Sequence, residues 1–169
     1  MNSMNSDMRQ KVDYAGRTVD LLLLKTVLNV PALNHRVDID VSNVSDEPMI
    51  VAGVEKMVQR YALLFINAMG STKFCPDHGT DLIPKVATGR VYNMATLESA
   101  AAEANFFARR QMTFADNGED TPDDERLVES KVIGLEFSRE KARVKISVRL
   151  TTAAGSSYVY IIPVAVGVH

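Results

Sequence analysis

The stretch Ala142-Arg-Val-Lys-Ile-Ser-Val-Arg-Leu150 alternates apolar with charged or polar residues along most of its length. Such alternation is typical of a β-strand with one buried and one solvent-facing side. Similar strands are predicted on either side of it, over residues 127–137 and 157–164, and the links between the three are short enough for hairpins. We therefore predict a largely antiparallel sheet at the C-terminus. The side chains predicted to face its core are Val144, Ile146, Val148 and Leu150.

A first amphipathic helix is predicted over about residues 53–69, upstream of this sheet. Apolar residues recur there every three or four positions, which gives one apolar stripe. Gly70 is placed as the C-terminal stop of this helix. Lys56 and Gln59 lie off this stripe. Residues 71–85, which contain two prolines and a glycine, predict an irregular loop.

A second helix is predicted over about residues 97–109, with an alanine-rich apolar face. Thr96 is a possible N-cap, and Arg109 and Arg110 suit the negative C-terminal end of the helix dipole. A short extended piece, residues 111–114, is expected to follow. The acidic residues 116–125 then predict a flexible, solvated loop. Two main helices packed on a small, mostly antiparallel C-terminal sheet define the expected α+β fold.

The N-terminal part carries weaker signals. Residues 1 to about 17 hold few apolar anchors and are expected to form a mobile arm. Residues 18–28 fit either a buried strand or a helix, while residues 37–41 alternate as a half-buried strand does. We therefore divide the chain into an extended N-terminal arm and segment, residues 1–49, and an α+β domain, residues 50–169.

Composition narrows the range of functions. The 169 residues carry a formal net charge of -2, which disfavours a nucleic-acid binder that relies on bulk electrostatics. The apolar runs are too short to span a bilayer, so no membrane association is expected. A single cysteine, Cys75, excludes an intrachain disulfide and fits a reducing compartment.

No motif points to catalysis or to a cofactor. Cys75-Pro-Asp-His78 is half of a metal site at most, because structural zinc needs four ligands and the other histidines are remote in sequence. A carboxylate pair for glycoside hydrolysis would have to come from surface acids that any chain of this composition offers. We expect no enzyme activity, no cofactor and no metal. The candidates for such a carboxylate pair are Glu98, Glu103, Asp77 and Asp81.

The last strand carries the clearest signal for an interaction. Residues 156–162, Ser-Ser-Tyr-Val-Tyr-Ile-Ile, would make a good exposed sheet edge that accepts a strand from another chain. The alternative is that the sheet simply covers the core, with Pro163 blunting its edge. The pattern favours neither alternative.

Three segments together resemble a known family. They are Val58-Gln-Arg-Tyr-Ala-Leu-Leu-Phe-Ile-Asn-Ala-Met-Gly70, Phe74-Cys-Pro-Asp-His-Gly-Thr-Asp-Leu82 and Ala104-Asn-Phe-Phe-Ala-Arg-Arg110, followed by three strands. This order resembles the baseplate wedge and sheath-initiator proteins of contractile phage tails, whose relatives serve type VI secretion baseplates. The chain departs from the family in having Gly70-Ser-Thr-Lys for Gly-Glu-Arg and Phe107-Ala-Arg-Arg110 for Glu-Pro-Arg. The family arginine therefore maps to Arg109 or Arg110.

The resemblance implies a mechanical role in the virion. The domain would join wedge and tube (or hub) proteins at the baseplate to the first ring of the tail sheath protein, in several copies around the tail axis, after assembly in the host cytoplasm. Its C-terminal sheet would initiate sheath assembly by strand exchange. The residues expected at protein interfaces are Arg109, Arg110, Pro76, Asp77, Gly79, Thr80, Tyr158, Val159, Tyr160, Ile161 and Ile162.

Other functions remain open at this point. One is a small hydrolase of lysozyme type that uses Glu98 or Asp81 as its acid. Another is a type VI secretion baseplate subunit, and a third is an α+β adaptor outside any tail machine. Lysis of peptidoglycan, or co-purification with sheath and wedge proteins, would discriminate among them.

Overall fold

A mixed five-stranded sheet forms one layer of the fold. The computed structural model describes residues 17–18, 20–21, 25–29, 36–40, 50–117, 120–138 and 143–165, so most of the expected mobile arm lies outside the described residues. The strands are β1 (Asp20–Leu21), β2 (Lys25–Asn29), β3 (Arg36–Asp40), β4 (Ile50–Val51), β5 (Leu127–Ser138), β6 (Arg143–Thr152) and β7 (Ser157–Ala165). The order in the large sheet is β2-β3-β7-β6-β5, while β1 and β4 form a separate pair.

The C-terminal half of the sheet agrees with the sequence pattern. β5 pairs antiparallel with β6, and β6 with β7, as expected for two hairpins. All four predicted inward side chains of β6 are fully buried. Each contributes roughly 1.5–3 kcal/mol of hydrophobic stabilisation. The α+β fold class is confirmed, with helices packed on one side of this antiparallel sheet.

The N-terminal strands extend the sheet beyond the predicted three. The ambiguous stretch 18–28 contains β1 and most of β2, so its described residues from Asp20 onward are strand and not helix. The strand predicted over residues 37–41 is confirmed as β3. β2 and β3 form an antiparallel pair, and residues 36–38 of β3 pair in parallel with residues 159–161 of β7.

Helix α1 (Val54–Ile66) presents the predicted apolar stripe to the core. Met57, Tyr61 and Phe65 on this stripe are completely buried. The helix ends four residues before Gly70, so Gly70 is not its C-cap. Gly70 instead sits in the following turn with a φ of 80°.

Helix α2 (Leu82–Ala87) contradicts the predicted irregular loop over residues 82–85. Pro84 is its third residue. The first four N–H groups of a helix have no intrahelical acceptor, so proline is tolerated there without losing a hydrogen bond. Because proline usually marks a break in a helix, residues 82–85 give no local signal for α2 in the sequence.

Helix α3 (Met94–Asp116) is longer than predicted at both ends. Asn93 is the N-cap, and its side chain accepts a hydrogen bond from the Thr96 backbone in a capping box, so the predicted cap at Thr96 is wrong by three residues. The extended piece predicted over residues 111–114 is helical. Among the described residues, no helix is both long and apolar enough to cross a bilayer.

A chain of hydrogen bonds positions α3 between α1 and the sheet. The buried Tyr61 hydroxyl donates to Asn105 Oδ1 at 2.7 Å, and Asn105 Nδ2 donates to the Ser130 carbonyl oxygen on β5 at 3.2 Å. Burial raises the pKa of Tyr61 well above its usual value, so the hydroxyl remains a donor. The side of α3 opposite these hydrogen bonds faces solvent.

Candidate protein-interaction site

The loop that carries four of the predicted interface residues is held tightly from beneath. Thr80 is fully buried, and its hydroxyl donates to the Phe65 carbonyl oxygen at the end of α1 at 2.8 Å. Its backbone N–H donates to the Asn67 carbonyl oxygen, also at 2.8 Å. Gly79 has a φ of 104°, and a Cβ there would lie 2.5 Å from the same Asn67 oxygen. Both residues therefore have structural roles in the folded chain.

Gln111 on α3 binds this loop from the other side. Its Oε1 accepts from the Gly79 backbone N–H at 3.0 Å, and its Nε2 donates to the Gly79 carbonyl oxygen at 2.9 Å. Pro76 and Asp77 remain exposed, as does Phe74 with 91% of its surface accessible. The part of the loop that a partner can reach is therefore its outer turn, not Gly79 or Thr80.

Replacing Gln111 by alanine removes both hydrogen bonds, and we expect the free energy of unfolding to fall by about 1–2 kcal/mol. Glutamate keeps the acceptor but sets a carboxylate oxygen against the Gly79 carbonyl oxygen in place of the donor, so Gln111→Glu should not restore the lost stability. Hydrogen exchange should accelerate at the Gly79 amide, with Thr113→Ala on the exposed side of α3 as the control. Equal exchange in the alanine variant and the control would contradict the bridging role.

Arg109 and Arg110 lie on the exposed side of α3, six or seven residues before its last residue. Their predicted position at the helix end is therefore wrong, because the helix continues to Asp116. No ion pair to either guanidinium occurs within the described part of the chain. A shallow space of about 360 Å³ is lined by Phe106, Arg109, Arg110, Thr113, Phe114 and Asn117.

Strand β7 places the remaining predicted interface residues in the sheet interior. Tyr160 and Ile162 are buried in the core and Tyr158 packs partly buried against it. Val159 and Ile161 are half-buried on the opposite side of the sheet. The border expected to be open is occupied over residues 159–161 by β3 of the same chain. Three residues of the predicted edge are therefore already paired within the chain.

A buried charge cluster, which the sequence did not indicate, lies beside α1. Glu125 is 1% exposed; its Oε1 accepts from the Gly53 N–H at 2.8 Å, and its Oε2 lies 3.2 Å from Lys56 Nζ. Lys56 also donates to the backbone oxygen and the hydroxyl of Thr18. Lys56 and Gln59, which lie off the apolar stripe of α1, are nevertheless both buried. Lys56 and Glu125 are 69 residues apart in the chain, so no local sequence pattern predicts their pairing.

Arg17, from the N-terminal segment, forms ion pairs at the edge of this cluster. Arg17 Nη1 lies 2.8 Å from Asp124 Oδ2 and 3.4 Å from Glu125 Oε1, and the hydrogen bond to Asp124 raises the pKa of Arg17. Asp116, 6% exposed, pairs with Arg60 at 3.3 Å. The acidic segment is therefore not simply solvated, because Asp116 and Glu125 are buried acceptors.

An adjacent polar depression of about 610 Å³ has lining side chains of both signs in equal number. Such a balance does not select a charged ligand, so we assign the cluster a structural role. The lining residues with charge are Arg17, Lys56, Arg60, Asp20, Asp120 and Glu125.

The residues considered for catalysis are dispersed. Glu98 and Asp81 are exposed, and Glu103 pairs with Lys85 at 2.5 Å. Cys75 and His78 form a backbone turn in which the His78 N–H donates to the Cys75 carbonyl oxygen. Within the described ranges, no three His, Cys, Asp or Glu side chains are arranged to hold a metal ion.

The fold and these surfaces define a one-sided α+β protein with helices on one face of a mixed sheet. In comparisons with known proteins, no family model, characterised protein or solved structure matches the chain.

Proposed function

We propose that this protein is a structural subunit of a contractile phage tail baseplate, which joins wedge and tube to the first sheath ring and initiates sheath assembly by strand exchange. The observation that carries the proposal is the short parallel pairing at the border of β7. Within the described residues, β3 pairs with β7 only over residues 159–161, whereas β6 pairs with it from Arg143 to Thr151. A parallel pairing of this length is the weakest junction in the large sheet.

A strand from a sheath subunit can replace β3 at this border. The incoming strand gains main-chain hydrogen bonds along β7, while alternate side chains fix its register. Val159 and Ile161, half-buried beside the border, supply apolar surface for its side chains. The motif resemblance from Val58 to Arg110 supports the tail assignment independently of the sheet.

The proposal separates two contacts by their place in the fold. Strand exchange uses the β7 side of the sheet, whereas the wedge contact implied by the resemblance uses the exposed outer turn at Pro76 and Asp77 and the arginines of α3. The two contacts lie on different elements, so one subunit can hold both partners at once. A type VI secretion baseplate would use the same geometry.

Hydrogen exchange of the free protein and of the assembled baseplate with sheath tests the exchange of strands. Amides of β3 that point toward β7 should lose protection on assembly, while those bonded to β2 keep it. Amides of residues 159–161 remain protected because a sheath strand takes the place of β3. Protection of β3 that is unchanged in assembled particles would contradict the proposal.

Substitution at the border gives a matched comparison. Val159→Lys combined with Ile161→Lys places charges along the strand border, which opposes strand addition, and we expect few or no sheaths by electron microscopy. Ser147→Lys is the control, because Ser147 lies opposite Ile161 on the neighbouring strand and away from the border. Normal sheaths in the double variant, or peptidoglycan lysis that Glu98→Gln or Asp81→Asn abolishes, would overturn the assignment.

A further inference from the structure

Helix α3 has a second regular stripe on the side away from the core. Its members follow one another at alternating spacings of four and three residues, the repeat by which one helix packs along another. All of them are exposed in the folded chain. The stripe consists of Ala95, Ser99, Ala102, Phe106, Arg109 and Thr113.

The stripe is unusual for a solvent-facing side of a helix because it exposes large aromatic surface. Phe106 is 61% exposed, and Phe114, about two helical turns further on and off the stripe, is 84% exposed. Exposed apolar side chains grouped in this way mark contact surfaces. The N-terminal half of the stripe has only small side chains, from Ala95 to Ala102, where another backbone can approach closely.

Charge follows the same division along the helix. Glu98 flanks the half with small side chains, and Arg109 and Arg110 lie in the half with large ones. None of the three forms an ion pair with another described residue. The exposed side of α3 therefore has small side chains and an acidic residue at one end, and large side chains and basic residues at the other.

We propose that this face is the contact between two copies of this chain, whose α3 helices pack antiparallel about a twofold axis at the level of Ala104. In this arrangement Phe106 of each copy lies over Ala102 of the other, and Thr113 over Ala95. Arg109 reaches Ser99 and Glu98 of the second copy. Each large or basic group thus meets a small or acidic one, twice by symmetry.

Self-complementarity of this kind identifies the occupant as a second copy. A parallel arrangement would bring Phe106 against Phe106 and arginines against arginines, so only the antiparallel pair satisfies both size and charge. Arg109 and Arg110 are then occupied in the dimer, which leaves the outer turn at Pro76 and Asp77 for the wedge contact. The dimer does not rest on the proposed baseplate function, because dimerisation is measured on the purified chain without sheath or wedge proteins.

Sedimentation equilibrium of the full chain, up to about 100 μM, tests the dimer. We expect a dimer for the unmodified chain. Arg109→Glu with Arg110→Glu, or Glu98→Arg alone, should raise its dissociation constant at least about tenfold, since each change acts at two symmetric places. The triple variant reverses both sets of charges and should restore the dimer. Arg149→Glu, on the exposed side of β6, is the control and should leave it unchanged.

Spin labels test the antiparallel geometry in a Cys75→Ser background. Labels on Ala95→Cys should lie about 27 Å apart along the helix axis, and labels on Ala102→Cys about 6 Å apart. A parallel dimer would give short distances at both positions. A monomer at every concentration, a dimer insensitive to the charge changes, or short distances at both sites would each overturn the proposal.

Discussion

Lys56→Met should lower the free energy of unfolding by about 3–5 kcal/mol, the largest effect expected of any single charge in this protein. The substitution leaves the Glu125 carboxylate, 1% exposed, without the ammonium that lies 3.2 Å from it. Arg17, 3.4 Å from the other carboxylate oxygen, and the Gly53 N–H compensate this charge in part, but Oε2 loses its ammonium partner, and a buried charge left short of partners costs more than the ion pair itself contributes. Denaturant unfolding, with the midpoint and slope both measured, provides the test.

Two further variants separate burial from charge. Lys85→Met breaks the more exposed pair with Glu103 and should cost no more than about 1 kcal/mol. Lys56→Met combined with Glu125→Met removes both buried charges and should recover much of the loss, although the Gly53 N–H then lacks its acceptor. If Lys56→Met costs no more than Lys85→Met, the buried pair does not stabilise the fold as described.

The second large effect is expected at Gly79. Gly79→Ala should destabilise the protein by at least about 3 kcal/mol, because a left-handed φ strains an alanine and the new methyl group meets backbone. That methyl would lie 2.5 Å from the Asn67 carbonyl oxygen, and the backbone there cannot turn aside as a flexible side chain would. Thermal unfolding followed by circular dichroism measures the loss.

Gly89 offers a matched control for this substitution. It also has a positive φ, of 72°, but an added Cβ would find no atom within 4 Å. Gly89→Ala should therefore carry only the conformational cost, about 1–2 kcal/mol. The difference between the two variants measures the close approach of the loop to α1, and equal losses would contradict it.

Regular local patterns account for what could be predicted. The alternation in β6 and the three- and four-residue recurrence in α1 indicate both the element and its buried side, because each side chain's direction follows from the backbone geometry. The hairpin links predicted the antiparallel neighbours. Ends were less certain: α3 runs on to Asp116 although Arg109 and Arg110 suggested a stop, since dipole-matched charges favour a helix end without enforcing one.

Some residues of the predicted interface are exposed in the folded chain and others are buried. Pro76, Asp77, Arg109 and Arg110 are exposed as a contact surface requires. Thr80 is buried beneath its own loop, and no local pattern distinguishes a threonine that binds a partner from one that donates to the Phe65 carbonyl oxygen. Whether these surfaces bind wedge, sheath or a second copy stays a prediction.

Local residue patterns are enough to predict the α+β class, the C-terminal hairpins and the core sides of α1 and β6, because periodicity is a local property of the chain. The pairing of β3 with β7 and the joint burial of Lys56 and Glu125 are visible only in the folded chain. Both depend on segments far apart in the chain that meet when the core closes. Burial then turns an ordinary surface charge into a structural one, since water no longer screens it.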